Sequence, residues 1–174
     1  MPSDEQGGPI APSQEEPTTV VSIQEGIRAR MPNAAYSEPA HLDVREAWDA
    51  VRPGLEEILQ QNPQLTFRPE DVYAELLEKR SLLFMSNAGW MVLSVEIDQF
   101  TGDRTLLIWL AYTFKVGGHQ WSDHQEWLNS IAAGEGCRFI EARSAVPELI
   151  PYAMKHGWTL ETNVYRREVE VNGK

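Results

Sequence analysis

The sequence predicts an α/β domain, in which a mixed and mostly antiparallel sheet is flanked by four helices, preceded by an extended acidic arm. The second half of the chain provides the main observations. Between residues 81 and 114 the hydrophobic pattern indicates three strands in succession, separated by turn residues. A helix, a strand and another helix follow the pair Gly117–Gly118, and a last apolar segment follows Gly157–Trp158. This order indicates one sheet covered by helices.

Residues 1–40 differ in composition from the rest. Met1–Glu25 contains five acidic residues, four prolines and no Lys or Arg. Such a segment buries too little apolar surface to offset the entropy of ordering it, so alone it is expected to be disordered. The apolar residues Val20, Val21 and Ile23 suggest a short docking strand, and a solvated tail is the alternative. We therefore predict an arm over 1–40, which orders on other protein chains of a larger assembly, and a domain over 41–174.

Two helices are predicted at the start of the domain. Apolar residues recur at helical spacing from Asp43 to Gln61, and Asn62–Pro63 ends this helix. Pro53–Gly54 predicts a kink or a short break within it. A second helix begins at Pro69, because proline is favourable at the first helical position. Its inner face consists of Val72, Tyr73, Leu76 and Leu77.

A β-meander comes next. Its strands are predicted over Ser81–Met85, Trp90–Ile97 and Thr105–Phe114, with turns at Asn87–Gly89 and Thr101–Asp103. The third strand is almost wholly apolar, which indicates a central place in the sheet.

The last elements alternate between helix and strand. Ser122 and Gln125 predict a capping box for a helix that continues through Ala133. The remaining elements are predicted as a strand, a helix and a closing strand: Cys137–Arg143, Pro147–Lys155 and Thr159–Val169.

Charge and cysteine content limit the classes of function. The formal net charge of −11 argues against nucleic-acid binding, which needs clustered Lys and Arg, and would suit a basic protein partner. Cys137 is the one cysteine, so no intramolecular disulfide forms and a reducing compartment is expected, with the thiol buried and inert. We expect neither a signal peptide nor a membrane span. These features predict a cytoplasmic protein.

The order of elements, together with the closing pattern Tyr152-Ala153-Met154-Lys155-His156-Gly157-Trp158, resembles the GNAT family of N-acetyltransferases. The resemblance covers about residues 42–170 and is closest to short GNAT-like proteins of tailed bacteriophages. That resemblance implies a location in the host cytoplasm or the virion.

The resemblance also implies a site for acetyl-CoA or CoA. The pantetheine would pair with the central strand, and the following loop, 115–120, would present N–H groups to the pyrophosphate. The implied cofactor-binding residues are Tyr112, Phe114, Gly117, Gly118 and His119. This loop departs from the family's pattern, since two adjacent glycines are followed by His119, Trp121 and Asp123. A simple tight turn, with no cofactor, is the alternative.

An amine-acetylating enzyme needs a general base and a proton donor for the leaving thiolate. Glu96 and Glu141 are the candidate bases, or else they are solvent-facing residues of alternating strands. The family's donor tyrosine would fall at Ala153, so Tyr152, one residue away, is a candidate whose alternative is packing.

No metal site is expected. The candidate ligands are His119, Asp123, His124 and His156, but His119 and His124 are five residues apart and do not share a helix face.

Three functions follow from the sequence. The first is a non-catalytic GNAT-fold protein that acts in assembly or interaction, in a phage virion if the nearest resemblance holds, with the arm docked on a partner. The second is an acetyl-CoA-dependent N-acetyltransferase with an atypical pyrophosphate loop. The third is an acidic protein that binds a basic host partner.

Overall fold

The computed structural model describes residues 38–114, 123–144 and 149–162, and the structural statements below refer to them. Nine helices and strands occur within these residues. In chain order they are β1 (Ala40–Leu42), α1 (Val44–Gln61), α2 (Pro69–Leu77), β2 (Leu82–Ser86), β3 (Gly89–Ile97), β4 (Arg104–Thr113), α3 (Gln125–Gly134), β5 (Phe139–Ala142) and α4 (Leu149–Lys155).

The five strands form one sheet in the order β1-β2-β3-β4-β5. Neighbouring strands are antiparallel from β1 to β4, whereas β5 is parallel to β4. A parallel pair requires a crossover connection, and α3 lies in the connection between β4 and β5. The predicted fold class, a mixed and mostly antiparallel sheet flanked by helices, is confirmed.

Helices cover both faces of the sheet. Leu128 and Ala132 of α3 pack on one face, against a cluster that contains Phe84, Met91, Leu93, Leu106 and Ile108. Because side chains alternate along a strand, Trp90 and Val92 point to the other face. There α1 buries Val51 and Leu55, and α2 buries Val72. This second face carries the residues of the candidate site.

The starts of α1 and α2 follow from local chemistry. Asp43 caps α1, and its Oδ1 accepts a hydrogen bond from the Arg45 backbone N–H at 2.9 Å. The Arg45 side chain and this N–H lower the pKa of Asp43 well below its usual range. Pro69 begins α2 as predicted, and the Asp71 side chain accepts from the Arg68 N–H at 2.8 Å.

Of the kink or short break predicted at Pro53–Gly54, the break does not occur, because α1 is one helix of 18 residues. Proline inside a helix costs about 3 kcal/mol, mainly through a lost hydrogen bond and a steric clash. Val51 and Leu55 flank Pro53 and are fully buried, and each contributes roughly 1.5–3 kcal/mol of burial. Burial on the inner face therefore offsets the cost of the exposed proline.

Other boundaries also differ from the predictions. The short strand β1 was not predicted, and it begins at Ala40, the last residue of the predicted arm. The first strand of the meander is Leu82–Ser86, shifted by one residue, and the strand after α3 is only Phe139–Ala142. The N-cap of α3 is His124, which makes no side-chain cap hydrogen bond, and the predicted capping box involves Ser122, which lies outside the described residues.

The closing strand is absent over residues 159–162, which form no regular element. Its remaining residues, 163–169, lie outside the described part of the chain. So do several other predicted features: the arm as far as residue 37, with Val20, Val21 and Ile23; the loop 115–120 with Trp121 and Ser122; and the start of the predicted helix at Pro147.

Among the described residues, none of the helices combines the length and the apolar character that crossing a bilayer requires.

Gly54→Ala tests the packing of α1 on the sheet. A Cβ at this position would lie 2.8 Å from Tyr112 Cδ1 and 3.1 Å from Trp90 Cζ2, inside two packed aromatic rings. We expect a loss of about 1–3 kcal/mol in the free energy of unfolding from overpacking, although alanine alone favours a helix by about 1 kcal/mol. Urea unfolding measures this change.

Gly134→Ala is the matched control, because a Cβ there meets no atom within 4 Å. Its stability should be unchanged or slightly higher. A Gly54→Ala variant as stable as the wild type would contradict the packing described for α1.

Candidate functional site

The pairing of β4 with β5 covers only the first part of β4. Residues Thr105–Ile108 of β4 pair with Phe139–Ala142 of β5, and the last pair is Ile108 with Ala142. β4 continues for five more residues, to Thr113, paired with β3 on its other side. Along these five residues, the edge of β4 that faces away from β3 has no strand partner among the described residues.

A β-bulge lies in β4 directly after its last pair with β5. Leu93 pairs with Ile108 and Val92 pairs with Leu110, which leaves Trp109 as an extra residue in β4. A bulge bends its strand and increases the local twist. The bend falls directly after the last β4–β5 pair, where β5 ends.

The backbone of Ala111 faces the open side of β4. The Phe114 N–H donates to the Ala88 carbonyl at 2.9 Å, which makes the neighbouring pair Thr113–Gly89 one that exchanges no hydrogen bonds. Because such pairs alternate along an antiparallel ladder, Ala111 and Met91 form another of them. The N–H and C=O of Ala111 therefore point away from β3, toward the edge of β4 that has no described strand partner.

Tyr112 points instead to the face covered by α1. Its ring stacks on Trp90 with a centroid distance of 5.6 Å and packs edge-on to Phe114 at 6.2 Å. Its hydroxyl donates to the Glu57 carboxylate at 2.6 Å. Burial raises the pKa of Tyr112 to about 12, and the hydrogen bond and charge of Glu57 act in the same direction. Its side chain thus fixes α1 to the end of β4.

The connection between α1 and α2 reaches the bulge. Phe67 in this connection packs against Trp109, with ring centroids 5.7 Å apart. Both rings are partly exposed. Two aromatic side chains therefore lie at the bulge, directly after the last β4–β5 pair.

The two predicted bases, Glu96 and Glu141, lie on the same face and share one cation. Arg143 donates from Nη1 and Nη2 to the two Glu96 oxygens at 3.2 and 2.6 Å. Its Nε donates to Glu141 Oε1 at 2.6 Å. These contacts raise the pKa of Arg143, that with Glu96 most strongly. Two carboxylates from β3 and β5 are thus brought together across β4, and about half of each side chain is exposed.

Tyr152, the predicted proton donor, is half-buried on α4. Its ring packs on His156 with a centroid distance of 4.3 Å, and His156 Nδ1 lies 2.8 Å from the Tyr152 carbonyl oxygen. The neighbouring Trp158 donates from Nε1 to Gln125 Oε1 at 3.1 Å, which ties the end of this segment to α3.

The structure places some of the predicted site residues and not others. Tyr112 and Phe114 lie at the end of β4, whereas Gly117, Gly118 and His119 are outside the described residues. No group of three or more His, Cys, Asp or Glu side chains suited to a metal ion occurs within 38–114, 123–144 and 149–162.

Sequence reasoning missed Arg143, Trp109 and Ala111. Arg143 had a signal, because opposite charges two residues apart, at Glu141 and Arg143, share a strand face. No sequence signal indicated the bulge at Trp109, since its position depends on the register between β3 and β4. The orientation of the Ala111 backbone depends on that register as well.

The Tyr112–Glu57 hydrogen bond should make the free energy of unfolding depend on pH in the alkaline range. Tyr112→Phe removes the bond and should lower the free energy of unfolding by about 1 kcal/mol. Since the folded-state pKa of Tyr112 is about 12 and the ordinary value is 10, this contribution is complete below pH 10 and is lost as the pH rises toward 12. Urea unfolding of both proteins from pH 7 to pH 11.5 measures it.

Glu57→Gln is the control for the tyrosine variant, because the amide oxygen still accepts the hydrogen bond but carries no charge. Its stability should fall less than that of Tyr112→Phe. A stability difference between wild type and Tyr112→Phe that stays constant to the highest pH would contradict the assignment.

No protein-family model and no curated protein sequence matches the chain. Solved structures do match its fold. An aminoglycoside acetyltransferase from an uncultured soil metagenomic sample, in complex with sisomicin, is 11% identical with a TM-score of 0.55. That match covers 78% of this chain and 96% of the other.

Two further structures match over similar lengths. A ribosomal-protein-alanine N-acetyltransferase from Brucella melitensis biovar Abortus 2308 is 13% identical, with a TM-score of 0.55 and coverage of 76% of this chain and 98% of the other. A protein described as a probable acetyltransferase is 13% identical, with a TM-score of 0.57 and coverage of 78% and 99%. Nothing in these matches connects the chain to phage proteins. The chain has a GNAT-like fold.

Proposed function

We propose that the protein binds an acyl-coenzyme A along the edge of β4 beyond its pairing with β5 and transfers the acyl group to an amine. The observation that carries this proposal is the open edge of β4 after the bulge at Trp109. All four residues of β5 pair with β4, and β4 continues beyond the end of β5 to Thr113. The acetyltransferases among the structural matches support acetyl as the acyl group.

The backbone of this edge suits a pantetheine chain. Pantetheine contains two amide groups, which can pair with a strand backbone as another strand would. The Ala111 N–H and C=O point toward this edge, and the Ala111 side chain is small and exposed. The backbone of Ala111 would therefore hold one of these amides. The backbone groups of Ala111 therefore fit the pantetheine part of acyl-CoA.

When bound, acyl-CoA would supply a thioester carbon that an amine attacks, so that a C–N bond forms and the C–S bond breaks. The chain itself would have to bind the amine as an ammonium ion and take two protons from its nitrogen, releasing one to solvent and supplying one to the leaving thiolate. Glu96 and Glu141 are carboxylates on one sheet face, level with Thr105 and Leu107 of β4, and they would attract the ammonium and accept its protons. We assign the return of the proton to Tyr152.

Phe67 and Trp109 would provide an apolar contact for the acceptor in addition to the two carboxylates. Both rings are partly exposed at the bulge. An acceptor that combines an ammonium group with an apolar portion would contact both the carboxylates and these rings.

The second candidate function is a non-catalytic interaction or assembly protein. The observation that favours it is the pairing of Arg143 with both predicted bases, because a carboxylate already bound to a guanidinium is less available to an amine. In that case residues 1–40 would dock on another chain, in a virion if the protein is phage-encoded, or the acidic surface would capture a basic partner. Failure to bind CoA would favour this second function.

Thermal denaturation with CoA and acetyl-CoA tests the proposal. A ligand that binds only the folded state stabilises it by about 2.7 kcal/mol at a hundredfold excess over Kd. We expect a saturable rise in melting temperature with both compounds. No change at millimolar concentrations would contradict the proposal and favour the second function.

Ala111→Pro tests the role of the strand edge, because it removes the N–H that points away from β3. Proline is tolerated where no ladder hydrogen bond is made, so the far-UV circular dichroism should be retained while CoA binding weakens at least tenfold. Ala111→Ser keeps the N–H and is the matched control, with CoA affinity close to that of the wild type. Unchanged CoA binding in a folded Ala111→Pro variant would mean that CoA binds elsewhere.

A further inference from the structure

We propose that the chain binds a second copy of itself, with Phe100 of one copy inserted into a cavity of the other. Phe100 lies in the turn between β3 and β4, Asp98–Asp103. The cavity lies between the start of α1 and the end of α2. Neither surface includes the edge of β4 at Ala111, so this contact goes beyond the proposed function and does not depend on it.

Phe100 is a large apolar side chain that a single copy leaves in water. It is 97% exposed, whereas the next most exposed large apolar side chain among the described residues, Met154, is 60% exposed. Burial of an aromatic ring is a strong source of binding energy at an interface. The whole ring of Phe100 is therefore available to a partner.

Asp98 fixes the turn that carries Phe100. Its Oδ1 accepts hydrogen bonds from the N–H groups of Phe100 and Thr101, both at 2.8 Å. Its carbonyl accepts a further hydrogen bond from the Gly102 N–H at 2.9 Å. A turn that is already ordered loses little conformational freedom when its side chain is bound, which favours binding.

The turn also projects beyond the neighbouring strand. β2 begins at Leu82, which pairs with Leu93 of β3. β3 continues through Ser94–Ile97, paired only with β4 among the described strands. These residues span about 14 Å of extended chain. Phe100 therefore lies past the start of β2, where a second copy can contact it.

The size and lining of the cavity suit a phenyl ring. Its volume is about 140 Å³, and an apolar cavity of about 150 Å³ is large enough to bind benzene. Val44, Leu76 and Leu83 are buried around it, whereas Leu77 and Leu82 are 46% and 38% exposed. The two exposed leucines provide apolar surface that an inserted ring would cover.

The two surfaces carry opposite charges. Arg45 and Lys79 line the cavity together with one carboxylate, Asp43, which Arg45 already binds. Lys79 forms no ion pair with any residue that the structure describes. Asp98 is exposed two residues before Phe100. With Phe100 in the cavity, the Asp98 carboxylate of one copy would face the Lys79 ammonium of the other.

The net charge of −11 limits the strength of this association. At an ionic strength of 0.15 M, exposed charges more than about 8 Å apart are largely screened, so the charges in contact count more than the net charge. One inserted side chain makes a small interface, and small interfaces are weak and transient. We therefore expect a Kd of roughly 0.1–1 mM.

Sedimentation equilibrium of the full chain at this ionic strength, from about 10 µM to about 1 mM protein, measures the association. We expect the weight-average mass of the wild type to rise with concentration. Phe100→Ala should raise the Kd about tenfold or more. Met154→Ala is the matched control, because it removes another exposed apolar side chain, and its Kd should equal that of the wild type.

Two variants test the cavity. Leu77→Glu places a carboxylate against its apolar lining, and Lys79→Glu reverses the charge that faces Asp98. Each should raise the Kd about tenfold. Lys79 is exposed, so Lys79→Glu leaves the packed core unchanged. Lys155→Glu, at an exposed position on α4, changes the net charge equally and should alter the Kd much less.

A mixture distinguishes insertion into the cavity from a contact between two Phe100 side chains. Phe100→Ala retains the cavity, and Leu77→Glu and Lys79→Glu retain Phe100. Each variant alone should stay largely monomeric, whereas an equimolar mixture of Phe100→Ala with either cavity variant should form 1:1 complexes.

Three results would overturn the proposal. The first is a wild type that keeps the mass of a monomer at every concentration. The second is an association that Phe100→Ala leaves unchanged, because the contact would then lie elsewhere. The third is a wild type that associates while neither mixture does, because Phe100 would then bind something other than the cavity.

Discussion

The pairing of β5 with β4 stops at Ala142 and Ile108, and the candidate site depends on this one discontinuity in the sheet. The extra residue Trp109 bends β4 immediately afterwards, while α1 holds the far end of the strand through the stack of Tyr112 on Trp90. Gly54 allows this close approach, because any side chain there would overlap the Tyr112 ring. The second half of β4 is therefore supported from one face and from β3, and its remaining edge can pair with a ligand that carries amide groups.

Ion pairs connect β3 and β5 across β4. Glu96 and Glu141 would repel each other across β4, and Arg143 joins them with three hydrogen bonds. The same arrangement bears on both candidate functions. In an acyltransferase Arg143 would compete with the acceptor for the carboxylates, whereas in a non-catalytic protein it would only connect β5 to β3. Occupancy of the β4 edge by a ligand distinguishes these two cases better than any single side chain does.

Much of the fold was predictable from the sequence because it depends on local patterns. The alternation from Trp90 to Ile97, the apolar run after Thr105 and the proline at the start of α2 determined three elements with small errors at their ends. The continuity of α1 through Pro53 was not predictable, since it depends on the burial of Val51 and Leu55 by other elements. The proximity of Glu96 and Glu141 was not predictable either, because these residues are distant in sequence and come close only through the order of the strands. Their catalytic roles, and those of Tyr152 and the glycine pair at 117–118, remain predictions.

If acyl-CoA binds as proposed, its pantetheine pairs with the edge of β4 at Ala111. A titration of ¹⁵N-labelled protein with CoA, followed by amide chemical shifts, tests this pairing. We expect a saturable downfield shift of the Ala111 amide proton, as its N–H acquires a hydrogen-bond acceptor, with smaller shifts at neighbouring residues of β4. Saturation by CoA that leaves the Ala111 resonance unchanged, or no change anywhere in the spectrum, would contradict it.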